Sequence, residues 1–139
     1  MKKFAKTYAA VTGSLNLIRT DADQFLTKEC GFKTEKILDV NIVVGEVLQN
    51  ILRYEYPTNF LQGKVNIEII ATNLQPNASS SLVIKITDDA PKLEDLAFLE
   101  RTITPSELGG MGISIIRQLT KEYIINPQSS GNEHLIIMC

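Results

Sequence analysis

The chain alternates between two hydrophobic periods. Leu15, Ile18, Ala22, Phe25 and Leu26 recur at i, i+3, i+7, i+10 and i+11, one stripe of an α-helix that opens at Gly13 or Ser14. Gly31 is a natural stop, because glycine enters the left-handed terminal conformation without a Cβ clash. A second stripe, Ile37, Val40, Val44, Val47, Leu48 and Ile51, predicts a helix of about 20 residues, capped by Thr34 and limited by Pro57. Residues 64–72 (KVNIEIIAT) and 82–88 (LVIKITD) shift to the two-residue period and β-branched composition of strands. The turn formers LQPNASSS join them. Residues 3–10 predict a first strand, Ile113, Ile116 and Leu119 begin a last helix, and KEYIIN and HLIIMC read as two closing strands around PQSSGN. Between them, residues 89–110 carry Pro91, Pro105, Gly109 and Gly110, with a short helical pattern near 93–100, and read as a loop. The order of strand, two helices, two strands, loop, helix and two strands predicts an α/β (α+β) two-layer sandwich. Its sheet is expected to be mixed but mostly antiparallel, with helices on one face.

Composition narrows the class. With 139 residues, 44% hydrophobic and 22% charged, the chain fits one globular domain, expected over 1–139. Its net charge of −2 gives no broad basic footprint for nucleic acid or an anionic membrane. Cys30 and Cys139 lack metal-ligand spacing, and with only His134 to join them neither a zinc site nor a disulfide framework is expected. The opening Met-Lys-Lys is not followed by a signal-peptide core, and no window approaches the roughly 18 apolar residues of a membrane span. A soluble, cytoplasmic protein is the expectation.

Three segments carry candidate chemistry. In GEVLQNILRYEY (45–56), Glu46 and Asn50 are an i, i+4 pair on one helix face, at an azimuth away from the apolar stripe. A carboxylate beside a carboxamide offers the hard oxygen ligands Mg²⁺ accepts. The carboxylate could equally orient or deprotonate an attacking hydroxyl, and the pair could simply be a solvated polar face. ITDDAP (86–91) is an apolar strand ending in two carboxylates. Asp88 there can accept a hydrogen bond from an exocyclic amine such as that of adenine, or merely open a turn before proline. In ELGGMGISIIRQL (107–119), glycines precede an amphipathic helix, so backbone N–H groups and the helix N-terminus can meet a phosphate, unless the loop only caps the helix. The lysine and glycine spacing of a Walker A loop or a dinucleotide fingerprint are absent.

In this order the three segments resemble the N, G1 and G2 boxes of the GHKL ATP-binding superfamily, the Bergerat fold of gyrase, histidine kinases and the anti-sigma serine kinases. The resemblance runs from about the first helix to the last strand and leans to the anti-sigma kinase branch. That branch has an N box close to E-A-x-x-N-A-x-x-H-A-Y, matched here at Glu46, Asn50 and Tyr56. Its G1 box, D-D-G-P-P-F, compares with DDAPKL, and its G2 box, G-G-L-G-I-x-L-I, with GGMGISII. Tyr54 stands where the pattern has histidine, Ala90 where it has glycine, and Leu93 where it has phenylalanine.

The resemblance implies an ATP-dependent serine/threonine-protein kinase that needs Mg²⁺. It makes Glu46 the general base, Asn50 the Mg²⁺ ligand and Asp88, beside Ala90, the reader of the adenine amino group. Gly110 and Gly112, with the amide of Met111, would border the phosphates, and Thr102, Thr104 and Ser106 would lie in the lid. The implied partners are a small anti-sigma-factor antagonist as phosphoacceptor and a sigma factor, exchanged by partner switching. Homodimers are usual in that branch. The alternative class is a nucleotide-binding regulatory module that transfers no phosphate.

Overall fold

The computed structural model describes residues 1–56, 63–76, 79–93 and 111–138. Five strands form one sheet: β1 (Lys2–Ala9), β2 (Lys64–Thr72), β3 (Ser81–Asp88), β4 (Glu122–Pro127) and β5 (Asn132–Met138). Their order is β1-β2-β3-β5-β4, and each of the four pairings is antiparallel. The sheet expected to be mixed therefore has no parallel pair among the described residues. Local pattern marks strands, whereas their partners are decided by connections and register.

The helices are α1 (Ser14–Gln24), α2 (Thr34–Asn50) and α3 (Met111–Leu119). Both α1 and α2 continue into a π-helical turn, Phe25–Glu29 and Ile51–Glu55. Gly31, at φ 72°, closes the first helical segment as its sequence implies. Thr34 is the first helical residue of α2, while Lys33 occupies the cap position with no side-chain hydrogen bond. The helical pattern near 93–100 lies outside the described residues beyond Leu93. No described helix is long and apolar enough to cross a membrane.

Strict alternation builds the core. Val65, Ile67, Ile69 and Ala71 of β2, Leu82, Ile84 and Ile86 of β3, and Ile136 and Met138 of β5 are buried. They meet Ile18, Ala22, Phe25 and Leu26 of the first helical segment, Val40, Val43, Val44, Val47, Leu48 and Ile51 of the second, and Ile113 and Ile116 of α3. The opposite face of the sheet carries charged pairs such as Lys3–Glu68 at 3.7 Å and Lys85–Glu133 at 4.0 Å.

The inner face changes character at one end. Ile84 faces Ile136, Ile86 faces His134, and Asp88 faces Asn132. The same two-residue period that buries aliphatics thus buries Asp88, Asn132 and His134, all 3% exposed or less. Groups of this kind enter a core only when their polar atoms find partners.

Candidate functional site

The end of α2 meets the start of α3 at Glu46, Asn50 and Gly112. The i, i+4 spacing puts Glu46 and Asn50, both half-buried, on one face, and that face turns to α3. A Cβ built on Gly112 would stand 2.7 Å from Glu46 Oε2, 3.4 Å from Asn50 Nδ2 and 3.6 Å from Asn50 Oδ1. The missing side chain is therefore what leaves room for the Glu46 carboxylate beside the α3 backbone, while Asn50 sits at ordinary contact distance. Met111 opens α3, and Gly110 lies outside the described residues, as do Thr102, Thr104 and Ser106.

Asp88 ends β3 with its carboxylate turned inward. Its Oδ1 accepts from the Ala90 N–H at 3.0 Å, the Asn132 N–H at 3.2 Å and Asn132 Nδ2 at 3.2 Å. Asn132, fully buried, also donates from Nδ2 to the Pro91 carbonyl at 3.0 Å and accepts from the Leu93 N–H at 2.8 Å. One asparagine thereby holds the β3 end and the 90–93 segment together. Gly131 precedes it at φ 98°, and a Cβ there would lie 2.0 Å from the Asp88 carbonyl oxygen. Ala90 is 1% exposed, so its methyl group is packed inside.

A second polar set shares Asp88. His134 Nε2 is 3.1 Å from Glu55 Oε2, 3.2 Å from Glu55 Oε1 and 3.5 Å from Asp88 Oδ2. The other ring nitrogen, Nδ1, is 2.7 Å from the Tyr123 hydroxyl. Burial pushes the Glu55 carboxyl above its usual range, partly opposed by the bond to His134. Burial alone would lower the His134 pKa, yet the Asp88 and Glu55 carboxylates outweigh it and hold the imidazole above its ordinary value. Asp88 Oδ2 has no hydrogen-bond partner.

Tyr56 completes the surroundings. Its hydroxyl bonds to the Asp89 carboxylate, accepts from the Asp89 N–H at 3.2 Å and lies 3.0 Å from the Lys64 carbonyl. The Lys64 N–H donates to the same carboxylate at 2.9 Å. Burial and the Asp89 carboxylate both raise the Tyr56 pKa. This tyrosine pins the end of the second helical segment to the adjoining ends of β2 and β3.

Of the residues singled out in the sequence, Glu46, Asn50 and Gly112 are brought together, and Asp88 with Ala90 forms a separate described contact set. Glu55, Gly131 and Asn132 were not singled out, and His134 was weighed only beside the cysteines as a zinc ligand. Glu55 had a readable signal, since it follows Ile51 by four residues and so continues the apolar stripe. Asn132 and His134 had one too, at alternate positions in register with Ile136 and Met138.

Chemically, the Glu46–Asn50 face offers a carboxylate able to accept a proton and a carboxamide oxygen of the hard type that suits Mg²⁺. The glycine beside them leaves the α3 backbone without a side chain at the start of the helix, where a phosphate-bearing ligand could approach.

Solved structures share this fold. The RsbU and RsbW domains of Rv1364c from Mycobacterium tuberculosis superpose with a TM-score of 0.68 at 14% identity, covering 99% of this chain and 32% of that one. The histidine kinase domain of a blue-light activated histidine kinase from Erythrobacter litoralis EL346 gives a TM-score of 0.52 at 15% identity, over 91% of this chain and 59% of that one. A structure of the same kind of kinase from that organism gives 0.54 at 17% identity, over 78% and 31%. At these identities the likeness is one of fold, and the chain spans about a third of the first and third of these structures and under two thirds of the second. No curated protein matches the chain. The family model for the histidine kinase-like ATPase domain matches residues 8–139, from the end of β1 through β5, and the chain belongs to that family.

Proposed function

We propose that the chain binds Mg-ATP and phosphorylates a serine or threonine of a small antagonist protein, releasing or retaining a sigma factor by partner switching. The observation that carries this reading is the convergence of Glu46 and Asn50 on the side-chain-free backbone of Gly112, within a chain of the ATPase family. The resemblance of the three boxes to the anti-sigma kinases supplies the partner class.

In this reading the acceptor hydroxyl attacks the γ-phosphorus, the bond to the β-phosphate oxygen breaks, and ADP leaves. Glu46 takes the hydroxyl proton. Asn50 would hold the Mg²⁺ ion, whose charge offsets that of the phosphate oxygens when bound. Gly112, the Met111 amide and Gly110 border the phosphates, and their contribution is position and charge compensation, on which phosphoryl transfer chiefly depends. Adenine recognition beside Ala90 falls to Asp88 Oδ2, because Oδ1 already accepts three N–H groups.

Incubation with labelled ATP, Mg²⁺ and candidate antagonists tests the proposal. Label on the antagonist that disappears in Glu46→Ala supports it. Thermal stabilisation by ATP without any label on a partner would move the assignment to the regulatory module that binds nucleotide and transfers nothing. A ligand at 100 times its dissociation constant stabilises by about 2.7 kcal/mol, so a nucleotide that leaves the melting temperature unchanged rejects both.

A further inference from the structure

Glu55 and His134 are both buried against Asp88, and nothing in the phosphoryl-transfer reading uses either of them. The π-helical turn after α2 carries Glu55, β5 carries His134 and β3 carries Asp88, so three separate elements deliver one charged cluster. A core retains such groups only where each offsets another.

The distances divide the duties of the imidazole. Nε2 carries one hydrogen, and it stands 3.2 and 3.1 Å from the two Glu55 oxygens but 3.5 Å from Asp88 Oδ2. Glu55 is therefore the better placed acceptor of that hydrogen. The Tyr123 hydroxyl, 2.7 Å from Nδ1, fixes the ring from its other side. Asp88 and Glu55 together hold the imidazole in its charged form to higher pH than usual. Asp88 thus gains the positive charge of the ring without spending a lone pair of Oδ2 on its proton. Oδ1 is taken up by three N–H groups, whereas Oδ2 has no hydrogen bond among the described residues.

We propose that His134, clamped by Glu55, is a positioning residue for Asp88: it keeps Oδ2 an unspent acceptor and thereby selects a purine that bears an exocyclic amine. The proposal rests on the reading of Asp88 as the group that meets adenine, and it adds which residues set that selectivity. Two carboxylates against one imidazolium leave the cluster negative, so the complement of Oδ2 is a donor. An amine N–H donates into it. A purine with only hydrogen at the same carbon leaves the buried oxygen unpaired, which weakens binding. Without the imidazolium the two carboxylates repel each other, one of them takes a proton, and the bond to the amine loses its charge assistance.

The probe pair is ATP and purine riboside triphosphate, which has hydrogen where adenine has the 6-amino group. Both are titrated calorimetrically with Mg²⁺ into the wild-type chain, into His134→Gln, which keeps a donor and loses the charge, and into Glu55→Gln. The wild type should prefer ATP by about 10–100-fold, the scale of a hydrogen bond to a charged group. In His134→Gln that preference should fall about five- to tenfold, to the scale of a neutral bond, with affinity for the analogue nearly unchanged. In Glu55→Gln it should fall as well, because the Nε2 proton then turns to Asp88 and occupies Oδ2. Affinities for both nucleotides that drop in step, with their ratio intact, mark structural damage alone and overturn the proposal. If His134→Gln does not fold, an undiminished preference in Glu55→Gln overturns it. A wild type that binds the two nucleotides equally, or binds neither, removes the adenine role of Asp88 and this proposal with it. A wild type that prefers ATP, beside a His134→Gln that prefers it as strongly, refutes the positioning role and leaves the ATP reading standing.

Discussion

Gly112 and Glu46 are locked in a steric relationship: the Cβ that any other residue would bring to position 112 falls 2.7 Å from the Glu46 carboxylate. The obstacle is the far end of a flexible side chain, so the fold can yield, but the carboxylate cannot keep its place. Gly112→Ala should therefore leave the melting temperature nearly unchanged while reducing phosphotransfer by about 10²-fold, the scale on which a 1 Å misplacement acts. Steady-state kinetics beside a thermal melt checks this, and equal losses in stability and rate would contradict it.

Glu46 and Asn50 share a helix face but have different proposed duties. Glu46→Ala should retain nucleotide binding and lose about 10²–10⁴ in transfer rate, the usual contribution of a general base. Asn50→Ala should instead lose the Mg²⁺-dependent part of binding. Calorimetric titration with an ATP analogue, with and without Mg²⁺, separates the two, and identical behaviour of the variants would refute the division.

Gly131 answers to a harder constraint. Its φ of 98° is foreign to L side chains, and its would-be Cβ collides at 2.0 Å with backbone that cannot swing aside. Gly131→Ala should destabilise the fold by about 1–3 kcal/mol from backbone strain alone, with the clash adding to that. Urea unfolding should show a lower midpoint with an unchanged slope.

Asp21 sets a pH dependence. The Tyr8 hydroxyl at 2.7 Å and then the Lys6 ammonium at 3.1 Å hold its carboxyl below the usual aspartate range. A folded pKa below the unfolded one stabilises the protein at pH above the unfolded value. That stability disappears as pH falls through the folded value. The stability gap between wild type and Asp21→Asn should thus be full near neutrality and close under acid, which denaturation at a series of pH values will read.

Much of the architecture was written in hydrophobic period. Ile37 to Ile51 marked α2, and β2 and β3 followed their alternation to within a residue. Which strands pair was not, because β3 meets β5 across a separation that no local window spans. Neither π-helical turn was legible, since Ile51 and Glu55 keep the same i, i+4 spacing that an α-helix would use. Glu46 and Asn50 were readable as a pair by that spacing, but their meeting with Gly112 is tertiary. His134 looked like an isolated residue because its partners come from α2's extension, β3 and β4. Starting β5 two residues earlier, at Asn132, reveals a row of inward positions that begins with two polar groups.

The placement of β5 between β3 and β4 gives the polar pocket a particular folding history. Asn132 reaches Asp88 across 44 residues of chain, so neither side chain can be desolvated until strands that are distant in sequence have docked. Contacts of such span form late and reward the chain only after a long loop is closed. The pocket is therefore not a self-standing local unit: a partly folded chain with β2 and β3 paired would hold Asp88 open to water, and pocket and sheet should gain protection from hydrogen exchange together.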